Sequence, residues 1–224
     1  MPTVQRPDDA FTTSEFQRLV RARGFGESKV ELRRGNIAKK DASPRFTNQE
    51  FDRLVRSGGF GDLRVELRQG KICKMSPEYA SHANVKWLLA KAIEAGLDAA
   101  GLGWVVRTDV SADFGEGFEP VPDILVWDTQ VAPVDFHGPI PSAAVRLVVE
   151  VAATTFADDI GEKPEDYAAG GLTEYWVADV KGRLVLRHTG PQPDSYAQRE
   201  YARFGEAFSS LAYPTLKVDT SALA

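Results

Sequence analysis

Hydrophobic positions follow a helical period twice near the N-terminus, and the second occurrence repeats the first. FTTSEFQRLVRARGFGESKVELRRGNIAKK, from Phe11, aligns without gaps with FTNQEFDRLVRSGGFGDLRVELRQGKICKM, from Phe46. Eighteen of thirty positions are identical, at a spacing of 35. Thr12 and Thr47 are placed to cap helices carrying Phe16, Leu19 and Val20, or Phe51, Leu54 and Val55, and each helix stops at Gly-Phe-Gly. Two short strands bending at Gly35 or Gly70 complete each copy, so the unit reads as helix plus hairpin. Two copies are fewer than a solenoid needs, so one belongs to the core and the other is an addition. The expected organisation is an extra repeat and linker over residues 1–45, then a domain over 46–224 with the second copy at 46–75 and a core at 82–189. Phe11 to Lys40 is expected to pack as a pseudo-twofold mate of Phe46 to Met75, or to exchange with a partner subunit. The linker DASPR, Asp41 to Arg45, separates the copies.

Beyond MSPEYAS, Val85, Leu88, Leu89, Ala92 and Ile93 predict a helix over about His82 to Ala100, stopped by Gly101. A strand is predicted over about Trp104 to Val110. The acidic turn FGEGFEP leads to a second strand, VPDILVW, with Asp123 next to Pro122. After a loop from Thr129 to Ser142, an apolar strand begins near Val145. Pro164 to Ala169 reads as a short helix ended by Gly170 and Gly171, with Lys163 just before it, because proline biases its predecessor away from the helical region. Two further β segments, EYWVADV and GRLVLRHT, follow. Helices and strands in this order predict an α/β fold with a central sheet flanked by helices.

The strand from Val145 contains one acid. Alternation puts Arg146, Val148, Glu150 and Ala152 on one face and Leu147, Val149 and Val151 on the other. A desolvated, unpaired carboxylate at 150 would cost several kcal/mol. It therefore needs a partner: Arg146 or another base, or a metal ion shared with Asp123. Mg²⁺ suits the latter, since it takes one or two protein carboxylates and fills its other positions with water and phosphate oxygens.

Composition narrows the setting. The chain has 224 residues, 43% of them hydrophobic, enough for a full core. No apolar run approaches the ~18 residues of a membrane span, and the N-terminus lacks signal-peptide character. With one cysteine, Cys73, and three scattered histidines, neither an internal disulfide nor a zinc site is expected, and the predicted location is cytoplasmic. The net charge of −5 is unevenly spread: residues 11–75 hold fifteen Lys/Arg against eight Asp/Glu, and residues 76–224 eleven against twenty-two. The basic repeats could meet phosphates, and the acidic remainder could hold a cation. Both are equally read as solvated surfaces.

PDILV, VVEVA, the spacing of Asp159, Lys163 and Tyr167, and GGLTEYWVAD resemble the restriction endonucleases of the Uma type, within the PD-(D/E)xK nuclease superfamily. The second copy fits too, since VELRQGKICKMSP followed by His82 resembles the family's opening hairpin, Met-Ser-Pro turn and histidine-started helix. The resemblance covers about Phe46 to Val185. It implies a restriction-endonuclease-like core with a central mixed sheet, to which the duplicated N-terminal helix-hairpin unit is added. It also implies that Asp123 and Glu150 bind Mg²⁺ (or Mn²⁺), that Glu66 is an accessory catalytic acid, and that DNA is the substrate. The superfamily's lysine, two residues after the glutamate, is replaced here by Ala152. The resemblance implies its relocation to Lys163, where an ammonium can orient or deprotonate the attacking water. Read simply as residues, Lys163 is a helix-end partner of Asp159, Glu66 a half-exposed strand residue and His82 a helix start.

The leading expectation is a Mg-dependent endonuclease hydrolysing DNA phosphodiester bonds, acting as a homodimer. The pI of 5.3 argues against tight DNA binding, and the basic repeats partly answer it. A nuclease-fold module with weak or no catalysis, binding nucleic acid or protein, is the alternative favoured by Ala152 and Pro164. A glycosidase also uses two carboxylates, but it would leave the lysine without a role.

Overall fold

The computed structural model describes residues 10–40, 45–75, 78–115, 117–152 and 161–224. Asp159, the first four residues of the Asp41–Arg45 linker, Ser76-Pro77 and Glu116 of the acidic turn lie outside them. Contacts divide the chain into two units, Met1–Pro77 with Gly115–Pro120, and Glu78–Phe114 with Val121–Ala224.

In the first unit, each copy of the repeat forms a helix and a hairpin. The helices are α1 (Thr13–Arg21) and α2 (Asn48–Arg56); the hairpins are β1 (Val30–Arg33) with β2 (Asn36–Lys39) and β3 (Val65–Arg68) with β4 (Lys71–Lys74). Thr12 with Glu15, and Thr47 with Glu50, close reciprocal capping boxes that satisfy the first amides of each helix. At both bends two successive residues take positive φ, Arg34-Gly35 and Gln69-Gly70, as a two-residue hairpin turn demands. Contacts between the copies are exchanged in pairs. Lys39 bonds Glu50 at 2.7 Å, and Lys74 bonds Glu15 at 3.0 Å. A side chain at Gly24 would strike Leu54, and one at Gly59 would strike Leu19. Each member of a pair lies 35 residues from its counterpart, which relates the copies by an approximate twofold axis. Phe11, Leu19, Phe25 and Ile37 share one core with Phe46, Phe51, Leu54, Phe60, Leu67 and Ile72.

The second unit is built on a six-stranded mixed sheet. Its elements are α3 (Ala80–Ala100), β5 (Trp104–Thr108), β6 (Ala112–Asp113), β7 (Ile124–Asp128), β8 (Ile140–Pro141), β9 (Val145–Ala152), α4 (Glu162–Ala169), β10 (Glu174–Asp179), β11 (Leu184–Gln192), β12 (Ser195–Arg203), β13 (Ala207–Ser209) and β14 (Lys217–Asp219). The strand order is β12-β11-β10-β9-β7-β5. Within this sheet β9 and β10 run parallel and the other neighbours are antiparallel, while β6 and β8 form a separate parallel pair. The alternation expected of β9 holds, since Leu147, Val149 and Val151 enter the core with Val85, Leu89, Ile93 and Leu97 of α3. Glu150 lies on the opposite face, where α4 packs.

Three strands escape the hydrophobic pattern. β12 is SYAQREYAR, an edge strand exposed along most of its length, and β13 and β14 have three residues each. They are specified by pairing partners rather than by local alternation. The turn between β13 and β14 is bound to the sheet through Glu174, which is fully buried. Its Oε1 accepts from Trp176 Nε1 (2.7 Å) and the Leu211 amide (2.9 Å), and its Oε2 accepts from the Ser210 hydroxyl and the Ala212 amide (3.1 Å). Four donors saturate the carboxylate, so this acid of the GGLTEYW segment ties the C-terminal turn to the sheet.

Two outcomes follow for stability. Glu174→Ala strands four donors, two of them buried, and is expected to lower the unfolding free energy by about 3 kcal/mol in urea titrations, whereas an exposed control such as Glu94→Ala changes it little. His188, buried between the rings of Tyr175 and Tyr196, is held down to about pKa 4 by burial, with the Arg199 guanidinium adding to the effect. The unfolded chain therefore binds a proton that the native state refuses between pH 6.5 and about 4. Stability should fall by roughly 3 kcal/mol as pH drops through that window, and His188→Phe should flatten that part of the curve.

Candidate functional site

Glu150 is 5% exposed, in the middle of the sheet, and its charge is met from α4. Lys163 Nζ stands 3.2 Å from Glu150 Oε2, and the Tyr167 hydroxyl donates to Oε1 at 3.0 Å. Lys163 and Tyr167 are four apart, so one helical turn brings both to the same carboxylate. The alternative partner is excluded: Arg146 pairs with Asp128 at 2.9 Å, at the other end of the strand. Pro164 is no obstacle. The helix begins at Glu162, not at Pro164 as its sequence suggested, and Pro164 is the third helical residue, where a backbone N–H has no intrahelical acceptor to lose. Lys163 thus belongs to the first turn and points to the sheet. Tyr167 is wedged by Phe114 (ring centroids 5.2 Å apart) and stacked on Tyr175 (4.9 Å), which fixes its hydroxyl.

Asp123 lies one residue before β7. The β7–β9 register ends with Ile124 opposite Val149, so Asp123 lies just beyond it, beside the end of β9 that carries Glu150. Its Oδ2 accepts the Val151 amide at 2.8 Å, which locks the acid to the residue after Glu150. On the other side α3 supplies cations. His82 Nε2 is 3.0 Å from Asp123 Oδ2, and Lys86 Nζ is 3.8 Å from Oδ1. His82 Nδ1 also faces Glu78 Oε1 at 3.2 Å, while Lys86 binds Glu78 at 2.7 Å and both oxygens of Asp109 at 3.1 and 3.2 Å. Asp109 adopts a positive φ of 58°, a left-handed conformation that aspartate tolerates better than most residues. Both ring nitrogens of His82 face carboxylates, an arrangement that the doubly protonated imidazolium satisfies.

These contacts set the charges. Burial acts to raise the Asp123 pKa, but the His82 hydrogen bond and charge, the Val151 amide and Lys86 overcome it and bring the carboxyl below its ordinary range. Burial acts to lower His82, and Asp123 and Glu78 reverse this, so its pKa is raised. Lys86, almost wholly buried, is raised by Glu78, Asp109 and Asp123 against the same desolvation. Asp123 is therefore ionised, with cations on its α3 side and the Val151 amide on its sheet side.

Among the described residues, Glu78, His82 and Asp123 bring their ligand atoms within 4.8 Å of one another, a group able to hold a metal ion. Asp123 belongs to this group, and its Oδ2 also accepts from the amide that follows Glu150. Glu66 stands on β3 in the first unit, opposite Cys73. Glu78, Lys86, Asp109 and the hydroxyl of Tyr167 received no role from the sequence. One signal was available: Glu78, His82 and Lys86 follow one another at intervals of four, and Lys86 interrupts the apolar face that carries Val85 and Leu89. Asp109 carries no such signal, because its pairing with Lys86 spans 23 residues.

The comparisons agree with this architecture. No curated protein matches the chain. Among solved structures, the crystal structure of a protein from Anabaena variabilis, described as a putative nuclease belonging to DUF820, superposes with a TM-score of 0.51 at 17% identity, over 71% of this chain and 88% of that one. That likeness shows a shared fold. The Uma2 model, described as "Putative restriction endonuclease", matches residues 48–221, from the start of α2 to the last residues of the second unit. The chain belongs to the Uma2 family.

Proposed function

We propose that the protein is a metal-dependent endonuclease that hydrolyses phosphodiester bonds in DNA, with Asp123 and Glu150 as the metal-binding carboxylates and Lys163 as the group that handles the water. The observation that carries this reading is the pairing of Lys163 with Glu150. The ammonium absent at Ala152 is supplied from α4, on the same face of the sheet.

The donor set fits the proposed metal. Mg²⁺ and Mn²⁺ prefer carboxylate and water oxygens, and Asp123 bonds the amide of Val151, the residue that follows Glu150. His82, engaged through both ring nitrogens, is better suited to hold Asp123 than to ligate a metal. A bound divalent cation would supply positive charge to the phosphate oxygens and lower the pKa of the attacking water. Lys163 has three N–H donors. In the ammonium form, one N–H reaches Glu150 and the others can orient a water towards the phosphorus; once one proton has passed to solvent, the amine lone pair can take the water's proton as the new P–O bond forms and the P–O3′ bond breaks, and the O3′ oxyanion takes a proton from solvent. Tyr167 keeps the Glu150 carboxylate from rotating. His82 and Lys86 keep Asp123 ionised, and Lys86 also screens it from Glu78 and Asp109. Glu66 retains the role of an accessory acid in this reading, on its motif alone.

A plasmid-nicking assay tests the proposal. Wild-type protein should convert supercoiled DNA to open circles with Mg²⁺ or Mn²⁺ and not with EDTA, and Glu150→Ala should abolish this. Lys163→Met should lower the rate by about 10²- to 10⁴-fold, the usual range for a group that transfers a proton. Absence of nicking by the wild type, or equal nicking by wild type and Glu150→Ala, contradicts it.

A further inference from the structure

Trp87 is 57% exposed on α3, one residue after the buried Lys86. An indole left in water forgoes substantial burial, so its surroundings matter. It borders a cleft of about 370 Å³ between α3 and β5, an edge strand of the sheet. Lys91, one turn further along α3, holds its ammonium 4.5 Å from the indole centroid. Arg107 and Thr108 form the β5 wall, and both are exposed. Two bases with their charge on this side, Lys91 and Arg107, stand against one acid, Glu94, although the chain as a whole is acidic. Lys86 is shared: its ammonium binds Glu78 and Asp109 beside Asp123, and its side chain also lines the cleft. The cleft therefore adjoins the carboxylate site.

We infer that this cleft binds one unpaired nucleotide of a nucleic acid strand, with its base stacked on Trp87 and its phosphate between Lys91 and Arg107. An aromatic face beside cations is the usual means of holding a single strand, since every base has a π-face and every nucleotide a phosphate. Lys91 covers one face of the indole, so the base would stack on the other face of this exposed ring, with the Lys91 charge beside it for the phosphate. Arg107 donates one N–H to the Val106 carbonyl at 2.7 Å and has further donors on the same guanidinium. The proposal extends the nuclease reading and rests on it, since it places an unpaired stretch of the substrate next to Asp123.

The test is fluorescence anisotropy of a labelled short oligothymidylate with the full-length protein in EDTA, so that binding is read without hydrolysis. Wild type should bind, and Trp87→Ala should weaken the Kd by about 5- to 150-fold, the effect of losing one stacked base. Trp87→Phe should restore most of the affinity, and Arg107→Ala should weaken binding and reduce its salt dependence. Trp87 is exposed, so unchanged melting of its variants serves as the folding control. No binding by the wild type, or an unchanged Kd for Trp87→Ala, overturns the proposal. The two readings fail separately. Nicking by the wild type with an unchanged Kd for Trp87→Ala removes only the cleft, and Trp87-dependent binding without nicking removes only the nuclease.

Discussion

A negative charge almost completely withdrawn from water at the centre of a sheet is the constraint around which the second unit is organised. Glu150 could not remain ionised there alone, because desolvation of an unpaired carboxylate costs several kcal/mol. The chain meets it with Lys163 and Tyr167, two residues on one turn of α4. This fixes the helix over the sheet and gives the aromatic contacts of Tyr167 with Phe114 and Tyr175 their purpose. A well-packed apolar residue at position 150 would be expected to be at least as stable. The retention of a charge is thus better explained by chemistry than by stability.

Glu174 provides the contrast within the same sheet. It is as buried as Glu150, yet four donors converge on its two oxygens and attach the C-terminal turn to β10. A carboxylate saturated in this way has no lone pair directed at a ligand. Glu150 instead takes Lys163 from α4, and Asp123, just before β7, takes His82 and Lys86 from α3. Asp123 is held by His82, Lys86 and the Val151 amide, so both layers of the unit meet at this one acid.

Much of this was legible in the sequence. The repeat was visible as identity at a spacing of 35, and the face occupied by Glu150 followed from strand alternation. Lys163 was reached through the family resemblance, and its orientation was obscured by Pro164. Proline disfavours a helix at its predecessor in general, yet it is tolerated in the first turn, and the helix proved to begin early enough to include both residues. What could not be read depends on distant partners. Arg146 was a candidate for Glu150 because the two share a strand face, but Asp128 on the neighbouring strand claims it. β12 is polar because it is an exposed edge, and the Lys86–Asp109 pair joins a helix to the end of a strand, which no local pattern records.

The central claim is that Asp123, just before β7, and Glu150 of β9 form the metal site and that the α4 lysine serves it. Crystals soaked in Mn²⁺ and measured near the manganese absorption edge test this most directly. The account predicts an anomalous peak bonded to Asp123 and Glu150, with Lys163 Nζ in contact with a water at the metal. A peak held by Glu78, His82 and Asp123, with Glu150 still bound only to Lys163 and Tyr167, would contradict it.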